Sequence, residues 1–224
     1  MEMITIQEAI QNRHSVRRYT NQEIPAEIRE ALLLETQKCN LEGDLKIQVL
    51  FDEPEAFGSI LTHYGTFSGV QNYFALVGKK SADLDERLGY FGERLVLKAQ
   101  MLGLNTCWVS RTFGKRKCKV IVEDGEVLVC AISLGYGQTQ GSPHKSRSID
   151  ALCDAGADMP EWFKSGMEAA MLAPTTMNQQ RFFLELRGNE VIARPTGDTY
   201  TKLDLGIVKY HFEVGAGTAK FIWA

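Results

Sequence analysis

The chain has no surplus of positive charge: 25 lysines and arginines face 28 aspartates and glutamates, a formal charge of −3. That removes the global basic field with which nucleic-acid binders hold a phosphate backbone, so any cation serving a ligand must act locally. There is no Cys-x-x-Cys pair. The five cysteines, Cys39, Cys107, Cys118, Cys130 and Cys153, are an odd number without metal-ligand spacing. This argues against a disulfide framework and a zinc site alike, and it fits a reducing compartment. His63, His144 and His211 show no ligating spacing either. No stretch approaches the length of a membrane span, and the first residues lack the basic start and apolar run of a signal peptide. The expectation is a cytoplasmic protein with neither nucleic acid nor membrane as partner. The glycine-rich stretch 135–143 is not a dinucleotide fingerprint, because no helix signal follows it at the right distance.

What is present is enough for a sizeable core: 224 residues make one large domain, or a domain with a small appended piece. Thr5 and Glu8 have capping-box spacing around Ile6, Ala9 and Ile10, which predicts a short first helix. Pro25 opens a second helix buried through Ile28, Ala31, Leu32 and Leu33, with a loop at 40–43. Leu45, Ile47, Val49 and Phe51 alternate with polar residues as a half-covered strand does, and the apolar run 72–78 reads as a central strand. A long helix spans about 84–102 and stops at Gly103, followed by strands at 106–110 and 127–134. Ala155, Gly156, Asp158 and Pro160 mark a joint, dividing a core, 1–154, from a C-terminal piece, 155–224. That piece reads as helix 162–172, loop 174–180, a hairpin turned at Gly188-Asn189, helix 203–214 and an edge strand within 219–223. Its opening helix, loop and strand repeat the order of residues 26–51, either as a degenerate internal echo or as a chance match of two common units.

The chemistry concentrates in residues 13–18, Arg-His-Ser-Val-Arg-Arg, where the first helix runs out. Arginine forks match phosphate oxygens bidentately, so the cluster suits an anionic ligand, although such runs are commonly solvated surface. With Tyr19, the cluster resembles the opening motif of the nitroreductase family of FMN-dependent flavoproteins. Three further segments resemble that family in the same order. They are 89–95 with 102–108 (a central helix and following strand), Lys145-Ser146-Arg147, and the loop Ala173-Pro174-Thr175-Thr176-Met177-Asn178-Gln179-Gln180, which is similar to the family's Ala-Pro-Ser-x-x-Asn-x-Gln.

The resemblance implies an α+β fold, a central mostly antiparallel sheet flanked by helices. It also implies FMN held between two walls that come from different subunits of a dimer. Residues 36–41, where the second wall's loop belongs, read Thr-Gln-Lys-Cys-Asn-Leu without the proline or the hydroxyl pair, and the loop stands after residue 170 instead. Either the C-terminal piece replaces the partner subunit, giving a monomer with an internal pseudo-dimer, or the tail reaches across a homodimer. Carried over residue by residue, Arg13, Lys145 and Arg147 would hold the FMN phosphate, with His14 and Ser15 near the ribityl chain and ring edge. Arg17 would sit beside the pyrimidine end and Val109 and Ser110 beside the hydride-accepting nitrogen. Pro174, Thr175, Thr176, Asn178 and Gln180 would form the facing loop. Lys145 and Arg147 fit a solvated loop equally well, and Cys107 and Trp108 read as packing residues. The implied activity is hydride transfer from NADH or NADPH to a small-molecule electron acceptor such as a nitroaromatic or quinone, with no catalytic side chain required. The alternative is a non-catalytic flavin-binding protein for storage, sensing or delivery. Arg181-Phe182 replaces the family's usual Pro-Trp, and Ser110-Arg111 stands where a glycine or acidic residue is common; both departures bear on the substrate.

Overall fold

The computed structural model describes residues 4–58, 67–154, 156, 159–197 and 200–224. His63, Ala155 and Asp158 lie outside the described residues. Helix α1, Ile6–Asn12, carries both halves of the predicted capping box: Glu8 N–H donates to Thr5 Oγ1 at 3.2 Å and Thr5 N–H to Glu8 Oε2 at 2.7 Å. Helix α2, Ala26–Gly43, runs through the segment expected to be a loop. Asn40, which reads as a breaker, instead bonds the Ile47 amide and carbonyl with its side-chain amide, and the helix stops only where Asp44 turns left-handed at φ 47°. Leu32, Thr36, Cys39 and Gly43 form its buried stripe, so Leu33 faces solvent rather than the core.

Strands β1 (Gln48–Leu50), β2 (Asn72–Lys79), β3 (Asn105–Val109) and β4 (Glu126–Gly135) form a four-stranded antiparallel sheet in the order β1-β2-β4-β3. β2 is buried along its first seven residues because both faces are covered, as its unbroken apolar run requires. Helix α3, Leu84–Met101, covers one face with α2 through Leu88, Leu95 and Ala99, and Gly103 at φ 79° closes it. The C-terminal part adds α4 (Glu161–Ala170), the hairpin β5 (Phe182–Arg187) and β6 (Glu190–Pro195), α5 (Thr201–Ala216) and a short β7 (Ile222–Trp223) parallel to β6.

A second apolar core, centred on Phe163, Phe182, Phe212 and Phe221, holds this part together. Helices α3 and α5 pack backbone to backbone: a Cβ on Gly89 would lie 2.0 Å from Leu203 O, and one on Gly206 only 1.9 Å from Glu86 O. Trp108 touches both cores, and the seam beside it is where the cleft opens. No helix among the described residues is long and apolar enough to cross a membrane.

Candidate functional site

Residues 13–19 leave α1 extended and run beside β3. Ser15 bridges Thr106 in parallel, and Val16 N–H donates to the Thr106 carbonyl at 3.0 Å. Alternate side chains of extended backbone take opposite faces, so Val16 enters the core while Ser15 and Arg17 face a cleft, whose outer part Arg13 and His14 line where the chain leaves α1. Tyr19 pins the far end, its hydroxyl donating to the Val16 carbonyl at 2.7 Å.

The cleft has an inner part of about 190 Å³ and an outer part of about 660 Å³ that share Ser15, Arg17, Pro174, Thr175 and Met177. One inner wall is Ser15 and Arg17 with Cys107, Trp108, Val109 and Ser110 of β3 and its exit. The facing wall is Pro174, Thr175, Thr176 and Met177 with Leu203, Asp204 and Ile207 from the start of α5. The outer part adds Arg13, His14, Asn178 and the turn at 141–144. Both walls therefore belong to one chain.

At the outer end Arg13 is 3% exposed, and its Nε has no hydrogen-bond partner among the described residues. The carboxylate of Glu93 lies 3.9 Å away, too far for a hydrogen bond. Burial pulls the guanidinium's pKa down from its usual value, and the Glu93 charge partly restores it. His14 is held below the ordinary imidazole value by burial and by Arg13, which keeps it a neutral donor or acceptor. A buried cation with an unfilled donor suits an anionic group entering the cleft.

Glu93 is itself fully buried under the cleft. Its Oε2 accepts from Trp108 Nε1 at 2.8 Å, and its Oε1 lies 2.8 Å from His211 Nε2 on α5. His211 Nδ1 faces the Ala169 carbonyl at 3.1 Å and so carries the proton of that bond. This network ties the floor of the cleft, Trp108, to the C-terminal helices.

The facing loop is held in a conformation that side chains seldom adopt: Met177, Asn178 and Gln180 have φ of 53°, 55° and 47°. Gln180, fully buried, fixes it, accepting from Arg147 N–H at 2.6 Å and donating to the Met171 carbonyl at 2.9 Å. Asn178 Nδ2 donates to the Lys145 carbonyl at 2.9 Å. Asp204 closes the clamp from α5, its Oδ2 accepting from Thr176 N–H at 2.9 Å and its Oδ1 from Thr176 Oγ1 at 3.0 Å.

Of the residues predicted from sequence, Arg13, His14, Ser15, Arg17, Val109, Ser110, Pro174, Thr175, Thr176 and Asn178 line the cleft. Gln180, Lys145 and Arg147 do not. Gln180 acts behind the loop, and the side chains of Lys145 and Arg147 are exposed while their backbones hold Asn178 and Gln180. Cys107 and Trp108 pack as expected and line the cleft as well. Leu203, Asp204 and Ile207 were not anticipated; the available signal was one carboxylate set among Leu203, Leu205, Ile207 and Val208, after Thr201 and Lys202 open the helix.

The fold, an antiparallel sheet flanked by helices beside which this cleft lies, is shared with solved structures described as nitroreductases. A model of the family described as "Putative TM nitroreductase" matches residues 5–216, and the chain belongs to that family. Among solved structures it is similar to a nitroreductase, itself described as putative, from Thermotoga maritima MSB8, with 22% identity, a TM-score of 0.69, 96% of this chain and 85% of that chain covered. It is also similar to one in complex with FMN from Desulfovibrio desulfuricans, with 16% identity, a TM-score of 0.54, 71% of this chain and 99% of that chain. A third is described as a putative NADH dehydrogenase/NAD(P)H nitroreductase from Bacteroides thetaiotaomicron, with 18% identity, a TM-score of 0.52, 66% of this chain and 95% of that chain. These likenesses are of fold. No curated protein matches the chain.

Proposed function

We propose that the chain is an FMN-dependent oxidoreductase that takes hydride equivalents from NADH or NADPH and passes them, in ping-pong fashion, to a small electrophile such as a nitroaromatic or quinone. The observation that carries this reading is Arg13, a buried guanidinium with an orphaned Nε at the outer end of a cleft whose inner walls are polar at the edges and apolar at Trp108, Leu203 and Ile207. The fold neighbour from Desulfovibrio desulfuricans is a complex with FMN, which supports the choice of cofactor. Arg13 would hold the phosphate, with His14 and Ser15 beside the ribityl chain. Arg17 would stabilise negative charge at the pyrimidine edge, Val109 and Ser110 would present backbone to the ring, and Thr175, Thr176 and Asn178 would close the other side with Pro174 fixing the loop's entry. FMN, when bound, supplies the hydride chemistry; the chain supplies position and charge. Because one chain carries both walls, the site is proposed to be complete in a monomer.

The test is uptake of FMN by the full-length chain, bleaching of its visible spectrum by NADH or NADPH without oxygen, and occupancy followed over a dilution series. One FMN per chain at dilutions where the chain is monomeric is expected. Arg13→Ala should weaken FMN binding about 10- to 100-fold, as for loss of a hydrogen bond to a charged group. Protein that takes up no FMN overturns the reading, a flavin that no nicotinamide reduces favours the storage or sensing role, and occupancy that falls as a dimer dissociates overturns the single-chain site.

A further inference from the structure

Asp204 is the single carboxyl group among the described residues lining the inner cleft, and holding a flavin asks nothing of it. It stands one turn into α5, 4% exposed, with both oxygens on Thr176. No cation among the described residues pairs with it. Arg17 is the charged group facing the cleft from the extended segment and Cys107 the titratable one from β3. The loop 174–178 offers none, Lys202 on its own helix is turned away to the Ala82 carbonyl at 3.1 Å, and on α3 Glu86 is taken by Lys209 and Glu93 by His211.

We propose that Asp204, acting through the hydroxyl of Thr176, supplies the proton that an electron acceptor needs when it is reduced in this cleft, an assignment that rests on the oxidoreductase reading above. Thr176 lines the cleft and its Oγ1 touches Asp204 Oδ1, so their hydrogen bond has two useful settings. With Asp204 ionised, the Thr176 hydroxyl donates to Oδ1. With Oδ1 protonated the bond reverses, Asp204 donates to Thr176 Oγ1, and the threonine hydrogen turns toward the cleft. Two-electron reduction of a quinone or nitro oxygen consumes one hydride equivalent, drawn ultimately from the reduced nicotinamide, and one proton. For the proton, the Thr176 O–H bond breaks as a new O–H bond forms on the acceptor's oxygen. The Asp204 O–H bond breaks to restore the threonine hydroxyl, and the carboxylate left behind regains a proton from solvent when product departs. Burial pushes the Asp204 pKa up to about 6, against the two Thr176 hydrogen bonds that pull it down. That value is near enough to neutrality for the group to give and recover a proton in each turnover.

The experiment uses the full-length, FMN-loaded chain as wild type, Asp204→Asn and Asp204→Glu, with the two half-reactions followed separately by stopped flow. Asparagine keeps a hydrogen-bonding partner for Thr176 but has no proton to lose. In Asp204→Asn, compared at saturating FMN, reoxidation by benzoquinone should fall on the order of 100-fold relative to reduction of the same bound FMN by nicotinamide, the range of a lost general acid. Its pH break near 6 should vanish and return, displaced, in Asp204→Glu. Reoxidation by ferricyanide, which takes electrons without a proton, should be the same in all three. In cofactor-free wild type, the infrared carbonyl stretch of a protonated carboxyl should disappear between pH 5 and 7.5, a signal missing from Asp204→Asn. Unchanged benzoquinone kinetics in Asp204→Asn, equal slowing with both oxidants, or absence of the infrared transition would overturn the proposal while leaving the flavin reading intact. A wild-type chain that binds no FMN would remove both, and that result is in hand before any Asp204 variant is made.

Discussion

Among the described residues, and setting aside one-turn 3-10 helices, 26–109 and 161–223 run through the same element order. Helix, strand, strand, helix, strand is α2-β1-β2-α3-β3 in the first stretch and α4-β5-β6-α5-β7 in the second. The likeness reaches side chains. Gly89 and Gly206 are the mutual points of closest approach, and each half sets a helix carboxylate under a tryptophan indole: Glu93 with Trp108 at 2.8 Å, Glu213 with Trp223 at 2.7 Å. The surroundings differ. In the second half β7 pairs directly with β6 because no counterpart of β4 comes between them, and the hollow beside Trp223, about 290 Å³, is lined by charges already paired with one another, Lys209 with Glu86 and Arg87 with Asp83. Beside Trp108 the extended residues 13–18, which precede the first stretch, bring Arg13 and Arg17 to the cleft, and no carboxylate among the described residues meets either at hydrogen-bonding distance. The shared element order thus comes with different charges at the two hollows, which are paired internally beside Trp223 and left without a carboxylate partner among the described residues beside Trp108.

Breaking the contact that joins the halves should have the largest effect. Gly206→Val places a Cβ against the Glu86 carbonyl, at 1.9 Å, and the Tyr90 amide, at 2.6 Å, both backbone atoms of α3 that cannot swing aside. A loss on the order of 4 kcal/mol or more is expected, enough to abolish cooperative unfolding of the whole chain. Urea denaturation followed by far-ultraviolet circular dichroism measures it. A midpoint like that of the wild type would mean the helices do not cross here.

The paired carboxylates sharpen the comparison. Glu93→Ala strands the Trp108 indole N–H, His211 Nε2 and the nearby Arg13 in a dry interior, where removing one member of a buried charged set typically costs about 3 to 5 kcal/mol. Glu213 is only half-buried, and its partners Trp223 and Tyr90 can reach water, so Glu213→Ala should cost about 1 kcal/mol. Thermal melts of both variants give the two numbers. Equal losses would show that the two halves are energetically alike, against the asymmetry argued above.

What could be read from sequence followed from whether the deciding contact was local. The capping box at Thr5 and Glu8, the stop at Gly103 and the hairpin at Gly188-Asn189 are set by neighbours a few residues away, while the burial of β2 on both faces is written in its own unbroken apolar run, and all stand where the pattern put them. The end of α2 escaped because Asn40 is satisfied by Ile47, across the turn rather than within the helix. In the cleft the alternation of Ser15 and Arg17 was legible once residues 13–17 were known to be extended. The pairing of Thr176 with Asp204 was not, since it joins a loop to the start of a helix 28 positions later and no periodicity links them. Trp108 reads as core because it is core; that one edge of it also faces a cleft depends on where α5 lands.

The smallest effect is expected at the two basic residues that the family resemblance assigned to the phosphate. Lys145 and Arg147 sit on the strap between the halves, and their contribution there is made mainly by backbone: the Lys145 carbonyl accepts from Asn178 and the Arg147 amide donates to the Gln180 side chain, with the Arg147 guanidinium adding a long 3.5 Å bond to the Gln180 carbonyl. Both backbone bonds survive truncation of the side chain. Neither side chain lines the cleft, both are exposed, and a solvated cation beyond the cleft is screened within a Debye length of about 8 Å at physiological salt. Lys145→Ala and Arg147→Ala should therefore each change FMN affinity by no more than about threefold, within the 0 to 1 kcal/mol typical of exposed charges, and the small change should shrink further at high salt. Gln180→Ala, which removes the acceptor for the Arg147 amide and the donor to the Met171 carbonyl, should weaken binding more than either, although its side chain reaches no ligand. Fluorescence titration with FMN at two ionic strengths separates the cases. If Lys145→Ala or Arg147→Ala weakens binding as much as Arg13→Ala does, the strap turns its cations inward when FMN enters, and the phosphate is held by three charges rather than one.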